Sequence, residues 1–191
     1  MSGEGMIYYL PGRGGRIDTG LGLEIQSRGL NVCGREMSGD FQRLRFSDQI
    51  QVIAADLEAG FWTAEALVVA NSFGAYLYLH AQTLLNPFLG KVLLLSPIIG
   101  TAASPGNGPR FSPPFTGRLE GLVEAGKLRV ASRCEIHVGE LDWQCQPETL
   151  KRFGAKVGIA VNVVAGGGHM LDKGYGSQLL DAWLPNAEPA I

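Results

Sequence analysis

Six short apolar runs, at residues 6–10, 29–33, 66–70, 91–96, 134–138 and 159–164, punctuate the chain and predict six β-strands. Several of them read as continuously apolar, Leu67-Val68-Val69 and Val92-Leu93-Leu94-Leu95 among them. A strand with one wet face alternates, so these two predict central, parallel strands covered on both sides. Between the runs, apolar positions recur at helical spacing over 18–27, 47–59, 73–86, 116–125, 147–155 and 176–183. In the second helix Ser47 is the expected N-cap ahead of Ile50, Ile53, Ala54 and Leu57, and Pro87 is expected to stop the third.

Strands alternating with helices predict an α/β fold. It is a three-layer, doubly wound and mostly parallel six-stranded sheet, with right-handed crossovers and helices on both faces. One domain, 1–191, accounts for every element, and no internal repeat is present. Residues 100–115, rich in Pro, Gly and Ser, predict a long surface loop. A chain of 191 residues buries about 70% of its unfolded surface, enough for one core without staples.

Charge then narrows the partners. Sixteen Lys and Arg stand against 18 acids, scattered along the chain. No electrostatic footprint for nucleic acid or an anionic membrane results, and a small-molecule substrate is expected. Oligomeric state is not legible. Cys33, Cys134 and Cys145 form no disulfide framework and read as reduced thiols. Cys134 and His137 make a CxxH spacing, but an offset of three on a strand points to opposite faces, so the pair reads as structural. No signal peptide and no membrane-length apolar run occurs, which makes the cytoplasm the default location.

Ligands of open parallel sheets bind beyond the carboxyl ends of strands, so the residues after each run carry the candidate chemistry. After 66–70 comes Asn71-Ser72-Phe73-Gly74, which with Ala70 forms AxSxG between an apolar strand and a helix expected to be amphipathic. A sharp strand-to-helix turn needs small residues two before and two after the serine, and it lifts the hydroxyl above the sheet. Ser72 is therefore the candidate nucleophile. The Phe73 N–H, at a helix N-terminus, is the candidate oxyanion donor.

A serine needs a base, and the base needs a third group to orient it. Of three histidines, His80 lies on the helix after Ser72 and His137 inside a strand, where structural roles are expected. His169 follows the last strand in the loop Ala165-Gly166-Gly167-Gly168-His169-Met170 and is the candidate base. Asp142, in Gly139-Glu140-Leu141-Asp142-Trp143 after the fifth strand, is the candidate orienting acid. Glu140 is its nearest rival, and Asp172 is expected to begin a helix. Directly after the first strand, Leu10-Pro11-Gly12-Arg13-Gly14-Gly15 supplies a loop in which the Arg13 N–H is the second oxyanion candidate and Gly12 lies against the substrate. It is not a dinucleotide fingerprint, because Ile17 stands where Gly or Ala is required and no GKS/T follows.

With these residues in place, the chain resembles the α/β-hydrolase superfamily along nearly its whole length, and the order Ser72, Asp142, His169 matches it. The PGxGG loop is similar to that of small serine hydrolases of the retinoblastoma-binding-protein type. The resemblance implies a compact fold without a cap domain and carboxylesterase-like cleavage of an ester or related acyl compound. It implies an acyl-enzyme, with no metal and no organic cofactor. Ala70 replaces the usual first Gly, and Pro11 stands where many relatives have His. Phe41, Phe73, Phe111, Phe115, Trp143 and Met170 are candidate apolar walls, with Gly12, Trp143 and Met170 as expected substrate contacts. Ser38 and Asp40 are candidate rim residues. The alternatives are a non-catalytic binding protein on this fold, or an acyltransferase or thioesterase.

Overall fold

A computed structural model describes residues 5–185; residues 1–4 and 186–191, the two ends of the expected domain, lie outside the described residues. The first half runs β1 (Met6–Leu10), α1 (Leu21–Gln26), β2 (Asn31–Gly34), α2 (Gly39–Arg43), α3 (Phe46–Gly60), β3 (Leu67–Asn71), α4 (Phe73–Gln82) and β4 (Lys91–Leu95). It continues through β5 (Ala102–Ala103), β6 (Arg110–Phe111), α5 (Arg118–Glu124), β7 (Arg133–Gly139), α6 (Pro147–Val157), β8 (Ala160–Val164) and α7 (Lys173–Trp183).

Six strands form one sheet in the order β2-β1-β3-β4-β7-β8, and every adjacent pair is parallel. The two runs expected to be central, β3 and β4, occupy its centre. Their alternate residues serve two cores. Tyr8, Leu10, Val68, Ala70, Val92 and Leu94 pack toward α3, α4, α5 and α6 through Ile53, Leu77, Leu119 and Leu150. Ile7, Tyr9, Leu67, Val69, Leu93 and Leu95 pack toward α1 and α7 through Ile25, Leu180 and Trp183. Each Val, Leu or Ile among these, once fully buried, contributes ~1.5–3 kcal/mol of transfer free energy. No helix among the described residues is long and apolar enough to cross a membrane.

Several local expectations give way to the structure. α3 begins at Phe46 with Arg45 as its cap residue, and Ser47 sits inside the first turn, its Oγ 3.3 Å from Asp48 Oδ1. α4 ends at Gln82, well before Pro87, because the Thr83 hydroxyl takes the His80 carbonyl and the Gln82 amide takes that of Asn86. Nor is α4 amphipathic. All ten of its residues are buried, since α3 and the following segments cover the side turned from the sheet. The short α2 lacks an apolar period and escaped the pattern. Within 100–115, β5 and β6 pair antiparallel, so that segment is a small ribbon as well as a loop.

Candidate active site at the strand ends

Strand order reverses between β1 and β3: the chain steps from β1 to β2 on one side, then crosses to β3 on the other. The crevice at such a switch point lies between the loop after β1 and the turn after β3. Ser72 occupies that turn with φ 50° and ψ −112°, a left-handed strain for a residue with a Cβ. The small neighbours are enforced by space. A Cβ on Gly74 would stand 2.3 Å from the Leu10 carbonyl oxygen and 2.4 Å from that of Pro11. One on Gly12 would stand 3.4 Å from Ser72 Cβ, so the two loops meet at the serine.

Ser72 Oγ lies 2.9 Å from His169 Nε2, and His169 Nδ1 lies 2.9 Å from Asp142 Oδ2. The Asp142 side chain is wholly buried. Burial opposes its ionisation, but the His169 hydrogen bond and charge, together with the Cys145 and Gln144 amides, outweigh burial and hold the carboxyl below its usual range. Those amides donate to Oδ1 at 3.0 and 2.9 Å, which fixes the carboxylate's orientation. The two rival acids are engaged elsewhere. Glu140 accepts the Gly166 N–H at 2.8 Å, pinning the turn after β8, and Asp172 caps α7 through the Gly174 and Tyr175 amides.

Phe73 opens α4, where N–H groups have no intrahelical acceptor. The loop after β1 is tied down by Gly14 N–H to the Met37 carbonyl and Gly15 N–H to that of Gly12, and no backbone acceptor among the described residues takes the Arg13 N–H. The Arg13 guanidinium sits 4.6 Å from the Phe73 ring centre and 5.7 Å from that of Phe111. It thereby joins the β6 ribbon to the Ser72 turn.

Two cavities border this line of residues. The smaller, about 210 Å³, is walled by Arg13, Met37, Phe46 and Phe73 on the serine side. The larger, about 460 Å³, is walled by Ile99, Ala102, Cys145, Leu150 and Phe153 on the acid side. Of the six aromatic and Met candidates only Phe73 lines either one. Phe41 and Phe111 pack on the core, Trp143 is half-buried, Phe115 is exposed, and Met170 is 89% exposed. Ser38 bonds Glu36 and Asp40 pairs with Arg43 at the surface.

The other histidines stand apart. His80 is fully buried, edge-on to Phe46 and Tyr76, with no hydrogen-bond partner for either ring nitrogen, and burial with the Arg118 charge lowers its pKa to about 4. His137 Nδ1 is 2.6 Å from Tyr175 Oη, on the sheet face opposite Cys134. Missed from the sequence was Cys145, whose Sγ lies 3.7 Å from His169 Nδ1. Its thiol donates to the Ser96 carbonyl and burial pushes it well above its ordinary range, so it is no rival nucleophile. The three cysteines are free.

No protein-family model and no curated protein matches the chain by sequence. Solved structures do match by shape. Alpha/beta hydrolase domain-containing protein 10 from mouse superposes with a TM-score of 0.66 at 13% identity, covering 93% of this chain and 86% of that one. The monoacylglycerol lipase of Paleococcus ferrophilus gives 0.65 at 14% identity, covering 93% and 91%. Est1E from Butyrivibrio proteoclasticus with bound ferulic acid gives 0.63 at 11% identity, covering 93% and 88%. With strand order, helix layers and these superpositions in agreement, the chain has the α/β-hydrolase fold.

Proposed function

We propose that this chain is a serine hydrolase that cleaves a carboxylic ester or related acyl compound through an acyl-enzyme. The observation that carries the reading is the hydrogen-bonded line Ser72 Oγ, His169, Asp142, with both links at 2.9 Å, on a strained strand-to-helix turn. In the mechanism, His169 Nε2 takes the Ser72 proton as Oγ attacks the carbonyl carbon, and Asp142 stabilises the imidazolium through Nδ1–H. The N–H groups of Phe73 and Arg13 hold the developing oxyanion. His169 then protonates the leaving group, and water repeats the sequence in reverse to free the acid.

The similarity to Est1E, which binds ferulic acid, and to a monoacylglycerol lipase supports a small acyl substrate. Gly12, whose backbone lies beside Ser72 Cβ, lines the approach of the substrate, with Trp143 and Met170 on the loops that carry the acid and the base. One domain over 1–191, a cytoplasmic location and the likeness to the retinoblastoma-binding-protein type belong to the same reading.

A panel of acyl esters of varied length and charge, run on wild type and Ser72→Ala, tests the chemistry. Hydrolysis that vanishes with Ser72 supports it; unchanged hydrolysis in the variant refutes it. Product analysis with competing alcohols or thiols separates hydrolase from acyltransferase.

A further inference from the structure

We propose that Cys145 Sγ, His169 Nδ1 and the Asp142 carboxylate form an inhibitory site for a borderline-soft divalent cation, Zn²⁺ foremost. One ligand atom from each residue lies within 4.8 Å of the other two. The Sγ to Nδ1 separation of 3.7 Å suits such a cation: tetrahedral zinc, with bonds of about 2.3 Å to sulfur and 2.0–2.1 Å to nitrogen, holds those atoms about 3.6 Å apart. Nδ1 and Oδ2, now 2.9 Å apart, separate by only about half an ångström to admit the ion. Thiolate, imidazole and carboxylate form a donor set that zinc accepts.

Two further observations bear on the site. Cys145 also lines the 460 Å³ cavity, which gives an ion a route to a thiol otherwise buried. Ser96, whose carbonyl accepts the Cys145 thiol hydrogen, has a buried hydroxyl with no hydrogen-bond partner. That leaves an unused oxygen donor on the residue next to the sulfur.

The inhibitory half of the inference rests on the proposed hydrolase mechanism; the binding half does not. Binding displaces two hydrogens. The thiol proton leaves to solvent, and the hydrogen on Nδ1 is given up while one is taken at Nε2, so the ring remains the neutral ligand a metal requires. One proton is released per ion bound. Nε2 then carries hydrogen and cannot accept the Ser72 proton, while Asp142 no longer orients the ring.

The test uses two readouts on the whole chain. Co²⁺ is added as a spectroscopic stand-in for zinc and the thiolate-to-metal charge-transfer band is recorded, while Zn²⁺ is titrated against the rate of fluorophosphonate labelling. The band is expected in wild type and in a Cys33→Ser, Cys134→Ser variant, and is lost in Cys145→Ala and in Cys145→Ser, which keeps the side-chain volume. Zn²⁺ is expected to slow wild-type labelling, and removing Cys145 to raise the concentration required at least about tenfold, the lower bound for disturbing even an outer partner of a metal ligand. No band in wild type, a band that survives loss of Cys145, or equal zinc sensitivity in the variants overturns the proposal. A Cys145-dependent band in protein that never labels, with or without metal, supports the metal site and removes the hydrolase reading instead.

Discussion

Ser72 Oγ and His169 Nε2 stand 2.9 Å apart although 97 positions separate the residues. Their strands, β3 and β8, are three places apart in the sheet, about 14 Å at ordinary strand spacing, so the loop after β8 has to travel back over the strand ends. It does so across Gly139, where a Cβ would stand 2.2 Å from the Gly168 carbonyl oxygen. Leu141 N–H to the Gly167 carbonyl at 2.7 Å locks the crossing.

Gly139→Ala therefore tests how the histidine is delivered. The added methyl meets backbone, so stability should fall by about 1–3 kcal/mol in urea denaturation. Labelling of Ser72 should slow more than the loss of folded protein accounts for. A normal labelling rate in the folded variant would show that the crossing does not position His169.

Asp142→Asn preserves shape while removing the charge that favours the imidazolium and the correct ring tautomer. If the proposed mechanism holds, the analogy with known catalytic triads sets the expected fall in kcat at about 10⁴-fold. Steady-state kinetics on a neutral ester, with circular dichroism to verify folding, decides it; a loss below tenfold would remove Asp142 from the mechanism.

These residues differ in how visible they were. The sheet was readable because β3 and β4 are apolar on both faces, and the candidate residues could be nominated because each lies in the turn or loop that follows a strand. What escaped depended on tertiary surroundings. α4 shows no polar face because other segments bury it, Ser47 missed the cap position, held by Arg45, by two residues, and Cys145 joined Asp142 and His169 only once two loops had met. The amides that orient Asp142 come from the turn at Gln144 and Cys145, a backbone feature that side-chain pattern does not encode.

His80 makes a pH prediction. Its pKa is about 4 in the fold and near 6.5 when exposed, so between these values the unfolded chain binds more protons. Stability then falls as pH drops from about 6.5 toward 4, by at most about 3 kcal/mol from this residue. His137, also lowered by burial, acts in the same direction, so the readout is the difference between wild type and His80→Leu in urea midpoints across that range. Parallel curves would contradict the assignment.

Arg13→Ala separates side chain from backbone. It deletes guanidinium contacts with Phe73 and Phe111, worth ~0.5–1 kcal/mol each at exposed sites, but retains the amide proposed for the oxyanion. For neutral esters kcat/KM should drop less than about tenfold, against the 10²–10³ typical of a lost oxyanion donor. A loss in the larger range would mean that the side chain, not the amide, carries the role.

The most direct measurement is fluorophosphonate labelling of the folded chain followed by peptide mapping, with Ser72→Ala alongside. The account predicts a single adduct on Ser72, absent from the variant, together with a fall of several orders of magnitude in ester hydrolysis. Folded protein in which Ser72 takes no label, or in which the variant hydrolyses esters as wild type does, would contradict it.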